Sequence, residues 1–73
     1  MLRNKKYLTE IIEIFYRDGD ISGLKFAETH DAIAKNTIYS QIRLVKSIDA
    51  ILSEYLKDRE IKKDIQLKIA SLL

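Results

Sequence analysis

Residues 24–46, with the sequence LKFAETHDAIAKNTIYSQIRLVK, contain two helical patterns separated by a short polar break around residues 30–32. Ala27 lies in the first pattern, where a small side chain lets two helices cross closely. The second pattern carries apolar residues at helical spacing, and we expect Ile33, Ile38 and Ile42 to hold it against the rest of the molecule. The stretch therefore predicts two helices joined by a tight turn.

This arrangement is typical of the helix-turn-helix, in which the second helix enters the major groove of DNA. The polar residues of the second helix are then candidates for phosphate or base contacts: Lys35, Asn36, Thr37, Tyr39, Ser40, Gln41, Arg43 and Lys46. Asn36 and Gln41 have the side-chain amide that pairs with adenine, and Lys35 suits guanine or a phosphate. We expect Lys25 and Arg43 to contact the DNA backbone.

The same residues have a simpler interpretation, which the sequence leaves open. The polar side chains form the solvated face that any amphipathic helix presents. Tyr39 can pack instead of contacting a phosphate, and cations such as Arg43 and Lys46 favour the carboxyl end of a helix without any ligand.

Charge is distributed unevenly along the 73 residues, which carry a net charge of only +2. The excess lies in residues 21–46, where the basic residues Lys25, Lys35, Arg43 and Lys46 outnumber the acidic residues Glu28 and Asp31. The positive charge thus coincides with the predicted helix-turn-helix.

The whole chain reads as a single all-α domain, a small compact bundle of about five helices over residues 1–73. It contains no proline, and the predicted helices cover residues 4–17, 22–29, 34–46, 47–56 and 58–72. Ser22, Ser47 and Asp58 stand at helix starts, while Asp18-Gly19-Asp20 ends the first helix. The helix-turn-helix occupies about residues 22–46, and residues 47–73 supply core or dimerisation helices.

Apolar residues of the last predicted helix exceed what one buried face requires. Ile61, Ile65, Ile69 and Leu72 form a stripe, while Leu67 and Leu73 point elsewhere. Either these residues complete the domain's own core, or they form a two-fold homodimer through the final helices.

Other function classes find little support in the sequence. No segment has the roughly 20 apolar residues of a membrane span, no signal peptide is visible, and a cytoplasmic location is expected. One histidine and no cysteine argue against a metal site, and no cofactor motif is present. Ser22, His30 and Asp31 have no predicted pocket around them, so we do not expect an enzyme.

Two DNA-binding families are similar to parts of the chain. Residues 37–46, TIYSQIRLVK, followed by Ile48, Ile51 and Leu52, resemble the central DNA-binding region of ParB-type partition proteins. Residues 34–39, AKNTIY, are equally similar to the turn and recognition helix of TetR-type repressors. The chain lacks the glycine of the ParB turn, the proline that follows its arginine-leucine stretch, and its nucleotide-binding motif. The resemblance therefore implies DNA binding without nucleotide hydrolysis.

The sequence thus predicts a small DNA-binding protein that regulates transcription or segregates DNA by occupying a site. The alternative is a helical protein-binding module, such as an inhibitor or adaptor, without a role in nucleic-acid binding. It would offer Tyr39, Ile42 and the carboxyl-terminal apolar residues to a partner.

Overall fold

A computed structural model of the chain describes residues 5–29 and 35–73. Within these ranges the chain is helical and contains no strand, as predicted. The helices are α1 (Lys5–Asp18), α2 (Gly23–Thr29), α3 (Lys35–Leu52) and α4 (Arg59–Leu72). The predicted turn of the helix-turn-helix, residues 30–34, lies outside the described residues, and so does Asn4 at the predicted start of the first helix.

The connection between α1 and α2 follows the predicted turn chemistry. Gly19 has φ 82°, the left-handed conformation that glycine adopts without strain, and its amide donates to the carbonyl of Phe15 at 2.9 Å. Ser22 then caps α2, because its Oγ accepts a hydrogen bond from the amide of Lys25 at 3.3 Å. Both helix boundaries therefore come from local sequence.

The described residues form four helices where about five were predicted, because α3 continues through Ser47 and Asp49 to Leu52. The predicted break at Ser47 is wrong. Asp49 does not cap a new helix, since its carboxylate accepts a hydrogen bond from the Tyr16 hydroxyl at 2.7 Å. With no proline or glycine in this stretch, the backbone keeps its helical bonds, including that from the amide of Ser53 to the carbonyl of Asp49 at 2.8 Å.

The last helix begins where the sequence predicted. Asp58 is its N-cap, and one carboxylate oxygen accepts from the amides of Glu60 at 2.9 Å and Ile61 at 3.1 Å. These bonds satisfy two of the free amides of the first turn.

The core lies where α1 packs against both α3 and α4, and α2 closes it by packing on α3. Its buried apolar residues come from all four helices and the α1–α2 connection: Leu8, Ile11, Ile12, Tyr16, Ile21, Phe26, Ala27, Ile38, Ile42, Val45 and Ala70.

The face of α4 that points into the core differs from the predicted one. Lys62, Gln66 and Ala70 are buried, whereas Ile61 and Leu72 of the predicted stripe are 47% and 76% exposed. Ile65 and Ile69 are half-buried beside them, and Leu67 packs against the core from the other side. The row of α4 residues that is buried is therefore not the row with the most hydrophobic side chains.

A polar network explains the rotation of α4 that buries this row. Gln66 Nε2 donates to the Tyr16 hydroxyl at 2.8 Å and to the carbonyl of Val45 at 3.0 Å. Lys62 Nζ donates to Ser53 Oγ at 3.0 Å and lies 3.4 Å from the carboxylate of Asp49. Because buried polar groups are tolerated when they have partners, the network fixes the orientation of α4 on α1 and α3.

Candidate nucleic-acid interface

The buried face of α3 is formed by Ile38, Gln41, Ile42 and Val45. Ile38 and Ile42 hold the helix against the core as predicted. Gln41 does not belong to the solvent face, because only 4% of it is exposed. Its side chain lies between Ile38 and Val45 on the helix surface, and this position follows from the 3.6-residue period. The prediction that Gln41 contacts a base is therefore corrected.

An outer ridge of α3, defined here as Asn36, Ser40, Arg43 and Ser47, lies opposite this buried face. The four residues are exposed and follow the spacing i, i+4, i+7 and i+11, which places them in one row along the helix. Three of them were predicted contacts. Ser47 was assigned to a helix cap instead, and its place in the row becomes visible once α3 is known to be continuous.

Tyr39 lies on the side of α3 that faces α2. A β-carbon built on Gly23 would come within 2.4 Å of the Tyr39 ring, so the ring rests directly on the backbone at the start of α2. It is still 43% exposed. Tyr39 therefore packs between the two helices, and one edge of its side chain remains open to a partner.

Lys46 lies on the same side of α3, and its ammonium group is 3.0 Å from the carboxylate of Asp20. A hydrogen bond from Lys46 is the main cause that lowers the pKa of Asp20, and the amide of Ile21 adds a second bond. Both side chains are largely exposed. The ion pair offsets part of the positive charge that Lys46 would offer to a phosphate.

The remaining predicted contacts are distributed over two elements. Lys35 is exposed at the start of α3, and Thr37 is half-buried beside the outer ridge. Lys25 is exposed on α2, where it lines a groove between α1 and α2 together with Asp18 and Asp20. The structure thus gathers most candidates on α3 but places Lys25 beside two carboxylates.

The part of α3 that carries the outer ridge contains no acidic residue. Residues 35–48 contain no aspartate or glutamate. The next acidic residue, Asp49, is bonded inward to Tyr16 and Lys62. A shallow groove next to the ridge is lined by Tyr39, Arg43, Lys46 and Ser47, with Ile42 and Ala50. An anionic ligand would meet amide, hydroxyl and guanidinium groups here without repulsion from a carboxylate on the helix.

Other ligand classes find little on the described part of the chain. No group of three or more metal-ligating side chains converges among residues 5–29 and 35–73. Within the same residues, no helix has the length and apolar character needed to cross a membrane. His30 lies outside the described residues.

Comparison of the chain with protein-family models, curated proteins and solved structures found no match. Inference about its function therefore rests on the geometry and chemistry of α2 and α3.

Proposed function

We propose that this protein binds double-stranded DNA with α3 as the recognition helix and α2 as the supporting helix of a helix-turn-helix. The observation that supports this most is the outer ridge, a row of exposed polar and cationic side chains on a helix without a carboxylate before Asp49. The consecutive helices α2 and α3 pack on each other, and one face of α3 is exposed. The helix-turn-helix motif requires this arrangement.

The length of the outer ridge is compatible with the width of the major groove. Asn36 and Arg43 are seven positions apart, which corresponds to about 10 Å along a helix. The major groove of B-DNA is about 12 Å wide, so these two side chains and Ser40 fit within it together. Ser47 lies about one turn further on and would approach the sugar-phosphate backbone.

Each side chain of the proposed interface has a role that follows from its chemistry. Asn36 presents a donor and an acceptor that match the major-groove edge of adenine, and Arg43 matches guanine or bridges to a phosphate. Ser40 donates to a base or a phosphate, and Lys35 neutralises a phosphate near the amino end of α3. Lys46 contributes less, because Asp20 competes for its ammonium group.

The biological role that fits such an interface is occupancy of a site on cytoplasmic DNA, as in a transcriptional regulator or a segregation factor. The resemblance of residues 37–46 to ParB-type proteins, and that of residues 34–39 to TetR-type repressors, supports this class. A homodimer would supply two recognition helices to one duplex, which raises both affinity and specificity.

Fluorescence anisotropy with duplex DNA at two salt concentrations tests the proposal. Two or three phosphate contacts predict that affinity falls roughly tenfold to fortyfold between 50 and 200 mM salt. Lys35→Ala should weaken binding several-fold and reduce the slope of log affinity against log salt by about 1.

Lys57→Ala is the matched control, because it removes the same charge beyond the opposite end of α3. Equal losses for Lys35→Ala and Lys57→Ala would contradict the assigned face. Absence of binding at low salt would overturn the proposal and favour the protein-binding alternative. Gln41→Ala is unsuitable as a probe, since removal of a buried side chain changes stability.

A further inference from the structure

The carboxyl-terminal half of α3 carries a second apolar row that the core does not use. Leu44, Ile48 and Ile51 follow the spacing i, i+4 and i+7 on the side of the helix nearest to α4, and Tyr55 continues the row beyond the helix end. Leu44 and Ile48 are half-buried, whereas Ile51 is 61% exposed and Tyr55 is 79% exposed. The row becomes more exposed toward the end of α3.

A matching row lies on α4. Because Lys62, Gln66 and Ala70 point into the core, the more hydrophobic residues Ile61, Ile65 and Leu72 are displaced to the edge of the helix. Burial of these side chains would be favourable, since each large aliphatic side chain gains about 1.5–3 kcal/mol when fully removed from water. The polar network of the monomer prevents this by fixing the rotation of α4.

The two rows adjoin each other. Leu44 and Ile48 from α3 line one small cavity together with Ile69 and Leu73 from α4. Ile69 follows Ile65 by one helical turn, so the rows form one surface, the α3–α4 apolar face, defined by Leu44, Ile48, Ile51, Tyr55, Ile61, Ile65 and Leu72. It is distinct from the outer ridge, which lies on another side of α3.

The exposed area of this face can be compared with the area that protein–protein interfaces bury. Ile51, Tyr55, Ile61 and Leu72 are 61%, 79%, 47% and 76% exposed, and with its half-buried residues the face presents on the order of 600 Å² of mainly apolar surface. The largest apolar patch of a typical monomer is about 300–600 Å², whereas one partner of a stable complex buries about 800 Å². The face thus lies at the upper limit for a monomer patch and at the low end of the roughly 600–1,000 Å² that each partner of a stable complex buries.

The charged residues at the border of this face can pair with those of a second copy of the same chain. Asp64 and Lys68 are exposed one turn apart on α4, beside the apolar row. In a two-fold interface the same surface meets itself, and antiparallel α4 helices then bring unlike charges of the border together. We propose that the α3–α4 apolar face is the homodimer interface of this protein.

The mass of the protein in solution, measured by light scattering and by sedimentation at several concentrations without DNA, tests this proposal. The expected mass is twice the 8.5 kDa of one chain. Ile51→Glu and Ile61→Glu each place a charge in the face and should raise the dimer dissociation constant by at least about tenfold to a hundredfold.

Leu24→Glu is the matched control, because Leu24 is an aliphatic residue of similar exposure, 51%, on α2. It should leave the dimer intact, and circular dichroism should show unchanged helix content in all three variants. A monomer at concentrations on the order of 100 μM would overturn the proposal. Dimers that persist in both isoleucine variants, or that dissociate equally in Leu24→Glu, would also overturn it.

The result is separable from DNA binding. A dimer that does not bind DNA would contradict the proposed function and leave the interface standing. A monomer that binds DNA with the expected salt dependence would contradict the homodimer interface and support the proposed function.

Discussion

The helices α3 and α4 solve the same packing problem with different chemistry. Both present one row of buried side chains to the core. In α3 the row is mainly aliphatic, with Ile38, Ile42 and Val45, whereas in α4 it consists of Lys62, Gln66 and Ala70. An aliphatic row is stabilised by any apolar surface that excludes water, but a polar row is stabilised only where its hydrogen-bond partners stand in the right places.

This difference separates what each helix contributes to the fold. The row of α3 gives most of its stabilisation through buried area and tolerates small shifts. The row of α4 depends on Tyr16 and Asp49, which come from two other helices, and it therefore specifies one rotation of α4. Because α4 is held in this rotation, its most hydrophobic side chains remain partly exposed to solvent.

Asp49→Ala should have the largest effect on the packing of α4. Its loss leaves the Lys62 ammonium group, whose side chain is only 11% exposed, without its counterion, and removes the acceptor of the Tyr16 hydroxyl. We expect a loss of about 2–4 kcal/mol in the free energy of unfolding, measured by urea denaturation. For a domain of this size that is a large part of roughly 4–10 kcal/mol.

Glu13→Ala is the control for this variant, because it removes an exposed carboxylate from α1, away from both the network and the α3–α4 apolar face. It should change stability by less than about 0.5 kcal/mol. Similar effects of the two substitutions would mean that the network contributes no more than an ordinary surface charge, and that apolar packing alone sets the rotation of α4.

Local sequence was sufficient to predict the elements whose boundaries depend on neighbouring residues. The end of α1 at Gly19, the cap of α2 at Ser22 and the cap of α4 at Asp58 are confirmed. The break at Ser47 and the buried face of α4 were predicted wrongly for one common reason. Asp49 bonds to a residue 33 positions away, and Gln66 to one 50 positions away, so neither partner is visible in local spacing.

The candidate interface was predictable to a similar extent. Helical spacing alone places Asn36, Ser40 and Arg43 in one exposed row, and the structure agrees. The same spacing also places Gln41 beside Ile38 and Ile42, so its burial could have been found from the sequence. The contact of Tyr39 with Gly23 and the ion pair of Lys46 with Asp20 depend on how helices meet, and periodicity does not contain that information.

Gly23→Ala tests whether the α2–α3 contact is as specific as the α4 network. Its β-carbon would meet Tyr39 ring atoms at 2.4 and 2.7 Å, so the ring must move. We expect a loss of about 1–3 kcal/mol in the free energy of unfolding, measured by urea denaturation.

A double-mutant cycle with Tyr39→Ala separates this clash from a backbone effect. In the Tyr39→Ala background, Gly23→Ala should become neutral or stabilising by up to about 1 kcal/mol, because alanine is the better helix former. An unchanged penalty in that background would show that the ring is not what requires glycine at this position.

High pH should affect the α4 network and leave the apolar row of α3 unchanged. Burial, and then the hydrogen bond to Asp49, raise the pKa of Tyr16 from 10.0 to about 12. Between these values the unfolded chain loses the phenolic proton while the folded protein keeps it. The stabilisation is therefore complete below about pH 10 and is lost as the pH rises toward 12, with a decrease of about 1 kcal/mol at pH 11.

Denaturation at several pH values should show this decrease in the wild-type protein, and Tyr16→Phe should remove the part that comes from the Tyr16 hydroxyl. Tyr39→Phe is the matched control, since it removes the same hydroxyl from a tyrosine outside the α4 network that is 43% exposed, and it should keep this decrease. If Tyr16→Phe and the wild-type protein lose stability in parallel, the Tyr16 proton is not held more tightly in the folded state. The hydrogen bond to Asp49 would then orient α4 without contributing to the pH dependence of stability.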